Sequence, residues 1–149
     1  MAAARRRSRG AHDPEAIACG LWRASLLWRR AVQQALRPLE LTLSEYLVLA
    51  SLVRLTAGDG EAQSQRELAD DAGLDPMTTS QAVRSLDDRG LLTREVNYVD
   101  GRRWLVLPTP RGEALHERAA PEVQSVSVSF VAPLGAQLPR FGRLLGKLR

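Results

Sequence analysis

Cysteine occurs once in the 149 residues, at Cys19, and histidine twice, at His12 and His116. A lone thiol excludes an internal disulfide and fits a reducing compartment such as the cytoplasm. One cysteine and two isolated histidines fall short of the convergent ligands that a metal site needs. No run of about 18 uncharged apolar residues is present, so no membrane span is expected. The first ten residues lack the apolar stretch of a secretory signal. No glycine-rich phosphate cradle and no nucleophile–base–acid set can be argued from the order of residues, so neither an enzyme nor a bound cofactor is expected.

What is present suits one compact unit, with 44% apolar residues for a core. The net charge is +4, from 21 basic and 17 acidic residues. Four of those positive charges are Arg5, Arg6, Arg7 and Arg9, in a stretch that reads as a disordered basic tail over residues 1–12. Without them the two signs balance, so bulk charge alone does not argue for a nucleic-acid partner. The order of local signals has to carry that argument.

Those signals are helix caps and breakers. Asp13-Pro14-Glu15 opens a helix that Pro38 stops, so the first helix is predicted to run to Arg37 with a broad apolar stripe including Ile17, Leu21, Ala24 and Leu27. Thr42-Leu43-Ser44-Glu45 and Ser64-Gln65-Arg66-Glu67 are capping boxes, each opening a further helix. Gly73 suits a left-handed helix end, and Asp75-Pro76 starts a fourth helix that turns Thr79, Ala82, Val83 and Leu86 inward and ends at Gly90. Two short capped helices joined by a glycine-containing turn read as a helix-turn-helix. Leu91–Val96 and Trp104–Leu107 read as two strands around Asp100-Gly101, a hairpin tip carrying Arg102 and Arg103. Thr109-Pro110 opens a fifth helix reaching Val131, bent near Pro121, and a last helix begins near Pro139.

This succession resembles the MarR family of winged helix-turn-helix transcription regulators from Asp13 onward. Glu67-Leu68-Ala69 and Leu74-Asp75 look like the family's first motif helix and turn. Leu86-Asp87-Asp88-Arg89-Gly90-Leu91-Leu92 looks like the lead into its strand, and Asp100-Gly101-Arg102 matches its wing Asp-x-Arg. Thr109-Pro110-Arg111-Gly112 follows its Thr-x-x-Gly pattern, with Pro108 where the family has leucine. The resemblance implies a mostly α fold with a small β-wing and terminal dimerisation helices. The expected parts are a dimerisation helix over 13–37, a winged helix-turn-helix over 43–108 and C-terminal dimerisation helices over 109–149.

The expected function is a cytoplasmic, sequence-specific DNA-binding transcription regulator acting as a homodimer, a repressor released by a small aromatic anionic ligand. The fourth helix enters the major groove, presenting Met77, Thr78, Ser80, Gln81 and Arg84 to base edges and phosphates. Ser64 and Gln65, at a helix N-terminus, suit a phosphate. By resemblance, Arg102 enters the minor groove, Asp100 holds the wing tip, and Arg103 meets a phosphate. Between Ser64 and Gly90 three arginines stand against six acids, so Asp70, Asp71, Asp87 and Asp88 are expected to face away from DNA or pair with arginines.

The effector site is expected along the first helix at Trp22, Ser25, Trp28 and Arg29, with Tyr46 and Leu49 of the second, where an indole beside a guanidinium suits a planar anion; packing is the other reading of these tryptophans. Cys19 lies near the reactive cysteine of the family's hydroperoxide-sensing branch. That branch supplies tyrosines where this chain has Gln33, Gln34 and Leu43, which favours a buried, inert thiol over a redox-sensing regulator. A winged-helix protein–protein interaction module is the remaining alternative; it predicts an apolar patch where Gln81 and Arg84 lie.

Overall fold

The computed structural model describes residues 13–58, 61–96 and 104–148, with the backbone alone for Val96 and Trp104. In chain order the elements are α1 (Pro14–Leu36), a tight 3-10 turn (Arg37–Leu39), α2 (Leu43–Thr56), β1 (Gln63–Ser64), α3 (Gln65–Ala72), α4 (Pro76–Asp88), β2 (Leu92–Val96), β3 (Trp104–Pro108), α5 (Pro110–Val131), a second 3-10 segment (Ala132–Gln137), α6 (Leu138–Leu145) and a closing turn (Gly146–Leu148).

Most of these helices begin where a side chain satisfies their free amides. Asp13 accepts from the Glu15 amide at 3.1 Å, ahead of Pro14 at the first helical position. Both capping boxes form: Thr42 and Ser64 accept from the Glu45 and Glu67 amides, and each glutamate reaches back to the capping residue's amide. Gly73 ends α3 with a φ of 64°, open to glycine without strain, and its amide bonds to the Ala69 carbonyl. Asp75 caps α4 through the Thr78 amide at 2.9 Å. Thr109 caps α5 through the Gly112 amide at 3.1 Å, and the helix runs on through Pro121, which is exposed.

The sheet is three-stranded and antiparallel, in the order β1-β3-β2. Two of its strands are the expected hairpin, with Leu92 opposite Pro108 and Val96 opposite Trp104. The third strand, β1, was not expected. It holds two residues, Gln63 opposite Val106 and Ser64 opposite Leu105, too few for any alternation to show in sequence. It ties the start of the helix-turn-helix to the hairpin.

One core joins the layers. Val32 and Leu36 of α1, Val48, Leu49 and Leu52 of α2, Leu68 of α3, Val83 and Leu86 of α4, Val106 of β3 and Ala119 of α5 are all fully buried. The inward stripe of α1 is therefore Trp28, Val32 and Leu36, at four-residue spacing. Of the broader apolar stripe expected, Ile17 and Leu27 are exposed on this chain. α5 selects that face, since Trp28 Nε1 donates to Ser127 Oγ at 3.1 Å. On the α2 side of α5, the His116 ring stacks on Tyr46 with centroids 6.1 Å apart.

Where β2 begins, α5 comes very close. The Thr109 hydroxyl donates to the Gly90 carbonyl at 2.8 Å, and the Thr109 amide to the Leu91 carbonyl at 3.2 Å. Gly112 lies so near that a Cβ there would overlap the Leu91 carbonyl oxygen.

Candidate nucleic-acid interface

α4 buries Thr79, Ala82, Val83 and Leu86 and leaves Met77, Gln81 and Arg84 exposed. That division is the one its helical period requires. Ser80 and Thr78 are half-exposed on the same side; Arg84 Nη2 donates to Ser80 Oγ at 3.3 Å, so the guanidinium lies along the helix. Met77 is 72% exposed and is the one large apolar side chain on this face. Two candidate hydroxyls are turned into caps. Thr78 Oγ1 donates to Asp75 at 2.6 Å, and Ser64 Oγ donates to Glu67 at 2.7 Å. The Ser64 amide bonds to the same Glu67 carboxylate at 2.8 Å.

Three of the four acids expected to face away from DNA or pair with arginines have an arginine partner. Asp71 of α3 pairs with Arg54 of α2, Asp87 with Arg94 of β2 at 2.6 Å, and Asp70 with Arg66 one turn back at 4.0 Å. Burial pushes the Asp71 carboxyl up, but hydrogen bonds from Ser51 and Arg54, with the Arg54 charge, outweigh it and hold the group below its ordinary value. The Thr78 hydroxyl and amide hold the Asp75 carboxyl down in the same way. Asp88 is exposed beside Gln81 and Arg84. Asp100, Arg102 and Arg103, expected at the hairpin tip, and residues 1–12, expected to form a basic tail, lie outside the described residues.

Of the residues expected to form an effector site, Trp28, Leu49 and Tyr46 lie in or against the core and the others stand toward solvent. Trp22 is 63% exposed, and Ser25 is exposed with its hydroxyl bonded to the Trp22 carbonyl. Trp28 is committed to Ser127 and Leu49 is fully buried. Tyr46 is half-buried against His116, and that burial raises its phenol above the ordinary value. An open cleft of about 570 Å³ lies along α1, lined by Leu26, Arg29, Arg30, Gln33, Gln34, Arg37 and Leu43. Arg29 alone is common to both sets. In the sequence this cleft is marked by Arg30, Gln33 and Arg37, two guanidinium groups and an amide at helical spacing. Cys19 is exposed, contrary to the buried thiol expected, because the first turns of α1 extend beyond the core. Among the described residues no three His, Cys, Asp or Glu side chains gather as a metal site, and no helix is long and apolar enough to cross a membrane.

Two capped helices joined by a short turn, the second polar on its outer side and flanked by an antiparallel hairpin, define a winged helix-turn-helix DNA-binding protein. The chain belongs to the MarR family of transcription regulators, whose sequence signature matches residues 39–103. It is 33% identical over 140 residues to the HTH-type transcriptional repressor Rv2887 of Mycobacterium tuberculosis, covering 93% of this chain and 97% of that one. Its fold is similar to that of Bordetella bronchiseptica BpsR, whose DNA binding is regulated by 6-hydroxynicotinic acid. The TM-score is 0.78 at 27% identity, over 89% of this chain and 97% of BpsR. It is also similar to Rv2887 in complex with p-aminosalicylic acid, with a TM-score of 0.68 at 32% identity over 88% of this chain and 96% of that one.

Proposed function

We propose that this protein is a cytoplasmic, non-enzymatic repressor that binds its operator as a homodimer and is released by a small aromatic anion. The observation that carries the DNA reading is the outer face of α4, where Gln81 and Arg84 stand exposed above a fully buried Val83 and Leu86. Gln81 suits an adenine edge, Arg84 a guanine edge or a phosphate, and Met77 or the Thr78 methyl a thymine methyl. Ser80 completes the face. With the Ser64 hydroxyl held by Glu67, Gln65 is the better phosphate donor at the α3 N-terminus. Arg102 and Arg103 of the hairpin, with Asp100 orienting its tip, extend the contact to the minor groove and its phosphates. A single exposed methionine among polar residues argues against a protein-docking face.

Dimerisation is supported by the apolar side chains at the two ends of the chain: Ile17, Trp22, Val128, Leu144, Leu145 and Leu148 are all exposed on one copy. The proposed parts are a dimerisation helix over 13–37, the winged helix-turn-helix over 43–108 and the C-terminal dimerisation helices over 109–149. The effector class is supported by the two relatives that meet aromatic acids and by the arginine-lined cleft on α1, which offers guanidinium donors beside Leu26 and Leu43.

The test begins with selection of bound duplexes from random DNA by the full-length protein. Arg84→Ala and Gln81→Ala should each weaken the selected site by about 1–3 kcal/mol and relax preference at particular base positions. If both variants keep wild-type affinity and the same selected sequence, α4 is not the reading helix. Salicylate should release the wild type from that duplex and release Arg29→Ala less.

A further inference from the structure

We propose that Gln33, Glu45 and Ser85 form a hydrogen-bonded relay that couples the α1 cleft to the reading helix. The inference deepens the effector reading above, and it rests on that reading only for what fills the cleft.

The chain of contacts is continuous. Gln33 lines the cleft. Its side chain also braces the turn between α1 and α2: Nε2 donates to the Leu41 carbonyl at 3.1 Å, and Oε1 accepts from the Leu43 amide at 2.9 Å. Between those two residues sits Thr42, the cap of α2, whose amide and hydroxyl both donate to Glu45 Oε2, at 2.7 and 2.9 Å. The other oxygen of that carboxylate, Oε1, accepts the Ser85 hydroxyl of α4 and faces Arg89 Nη1 at 3.6 Å. Ser85 lies one turn beyond Gln81, and Thr42, Glu45, Thr78, Gln81 and Ser85 line one small cleft between α2 and α4.

Glu45 gives the relay its stiffness. It is 7% exposed, yet both its oxygens are engaged, one toward each helix. A buried carboxylate that loses a partner is left uncompensated in a poorly solvating site, so the two sides cannot move independently at small cost. A carboxylate ligand entering the cleft competes for the Gln33 amide protons. Where the ligand draws away the proton that Gln33 Nε2 gives the Leu41 carbonyl, the Leu41–Leu43 turn loses one of its two bonds to Gln33, and the Thr42–Glu45 cap shifts against Ser85. A network with two arrangements, biased at one end by ligand and at the other by DNA, is the physical content of coupling.

The experiment is a double-mutant cycle on operator affinity, using the full-length protein and the selected duplex. Neither Gln33 nor Ser85 is among the proposed DNA contacts. Gln33→Leu and Ser85→Ala should each weaken binding by roughly fivefold, the worth of one hydrogen bond. The double variant should bind no worse than the weaker single, and Ser85→Thr, which keeps the hydroxyl, should bind as wild type. Losses that multiply, or a Gln33→Leu protein of unchanged affinity, overturn the relay. Gln33→Glu, which keeps the acceptor and loses the donor, replaces Gln33→Leu if the latter does not fold. In a second arm, salicylate should release Ser85→Ala far less than wild type; equal release of both overturns the relay. If salicylate fails to release even the wild type, the effector reading falls, while the cycle on DNA alone still decides the relay.

Discussion

Adding one methyl group at Gly112 should cost this protein a large part of its stability. A Cβ on Gly112 would stand 3.0 Å from the Leu91 carbonyl carbon, nearer still to its oxygen, and 3.4 Å from Leu49 Cδ1. Carbon atoms pack best at about 3.5–4.0 Å, so α5 and the Gly90–Leu91 turn must separate. Both sides are backbone, and no flexible side chain can give way. Either Thr109 moves with the helix and its hydroxyl and amide leave Gly90 and Leu91, or Thr109 stays and the Gly112 amide leaves its cap. Overpacking costs about 1–3 kcal/mol and a lost cap about 1 more, so Gly112→Ala should lose roughly 2–4 kcal/mol. For a chain of this size that is a fall in Tm of about 5–15 °C. Thermal unfolding followed by circular dichroism reads it directly. Gly58→Ala is the control, since a Cβ there meets nothing within 4 Å, and it should melt with the wild type. A Gly112→Ala protein melting within a degree or two of the control would refute the reasoning, and with it the view that α5 is registered on the wing by backbone contact.

Leu86→Ala, at a fully buried position on α4, should cost about 2–5 kcal/mol in a urea unfolding experiment. Trp28→Phe removes the bond to Ser127 and should cost about 1 kcal/mol, read as a shift of the urea midpoint at constant slope. Asp75 and Asp71 both sit below their ordinary value of 3.8, so each favours the folded state when ionised. Their contribution is complete above that value and is lost as the pH falls through their lowered folded values. Stability should therefore decline below about pH 4, and Asp75→Asn should flatten that decline; an unchanged acid profile in the variant would remove Asp75 as a source.

Much of the fold was legible because its punctuation is local. Asp13, Thr42 with Glu45, Ser64 with Glu67, Asp75 and Thr109 each bond to amides within three residues, so their effect survives without any tertiary context. The outward Gln81 and Arg84 follow from the 3.6-residue period once Val83 and Leu86 are taken as buried. The family's threonine–glycine pattern at Thr109 and Gly112 was visible as letters, but its reason, the close pass of Leu91, was not.

What sequence by itself determined here is where helices start and stop, and which side of the short helices turns inward, because those choices are made by neighbours within a turn or two. Only the tertiary structure decided which arc of the broadly apolar α1 packs on this chain's own core, that a two-residue strand closes the sheet, and that Leu43 of α2 closes a cleft along the arginines and glutamines of α1. It alone brought Glu45 to Ser85, 40 positions apart. Such pairings depend on how helices are laid against one another, and that is settled by packing a shared core, which no local pattern of residues contains.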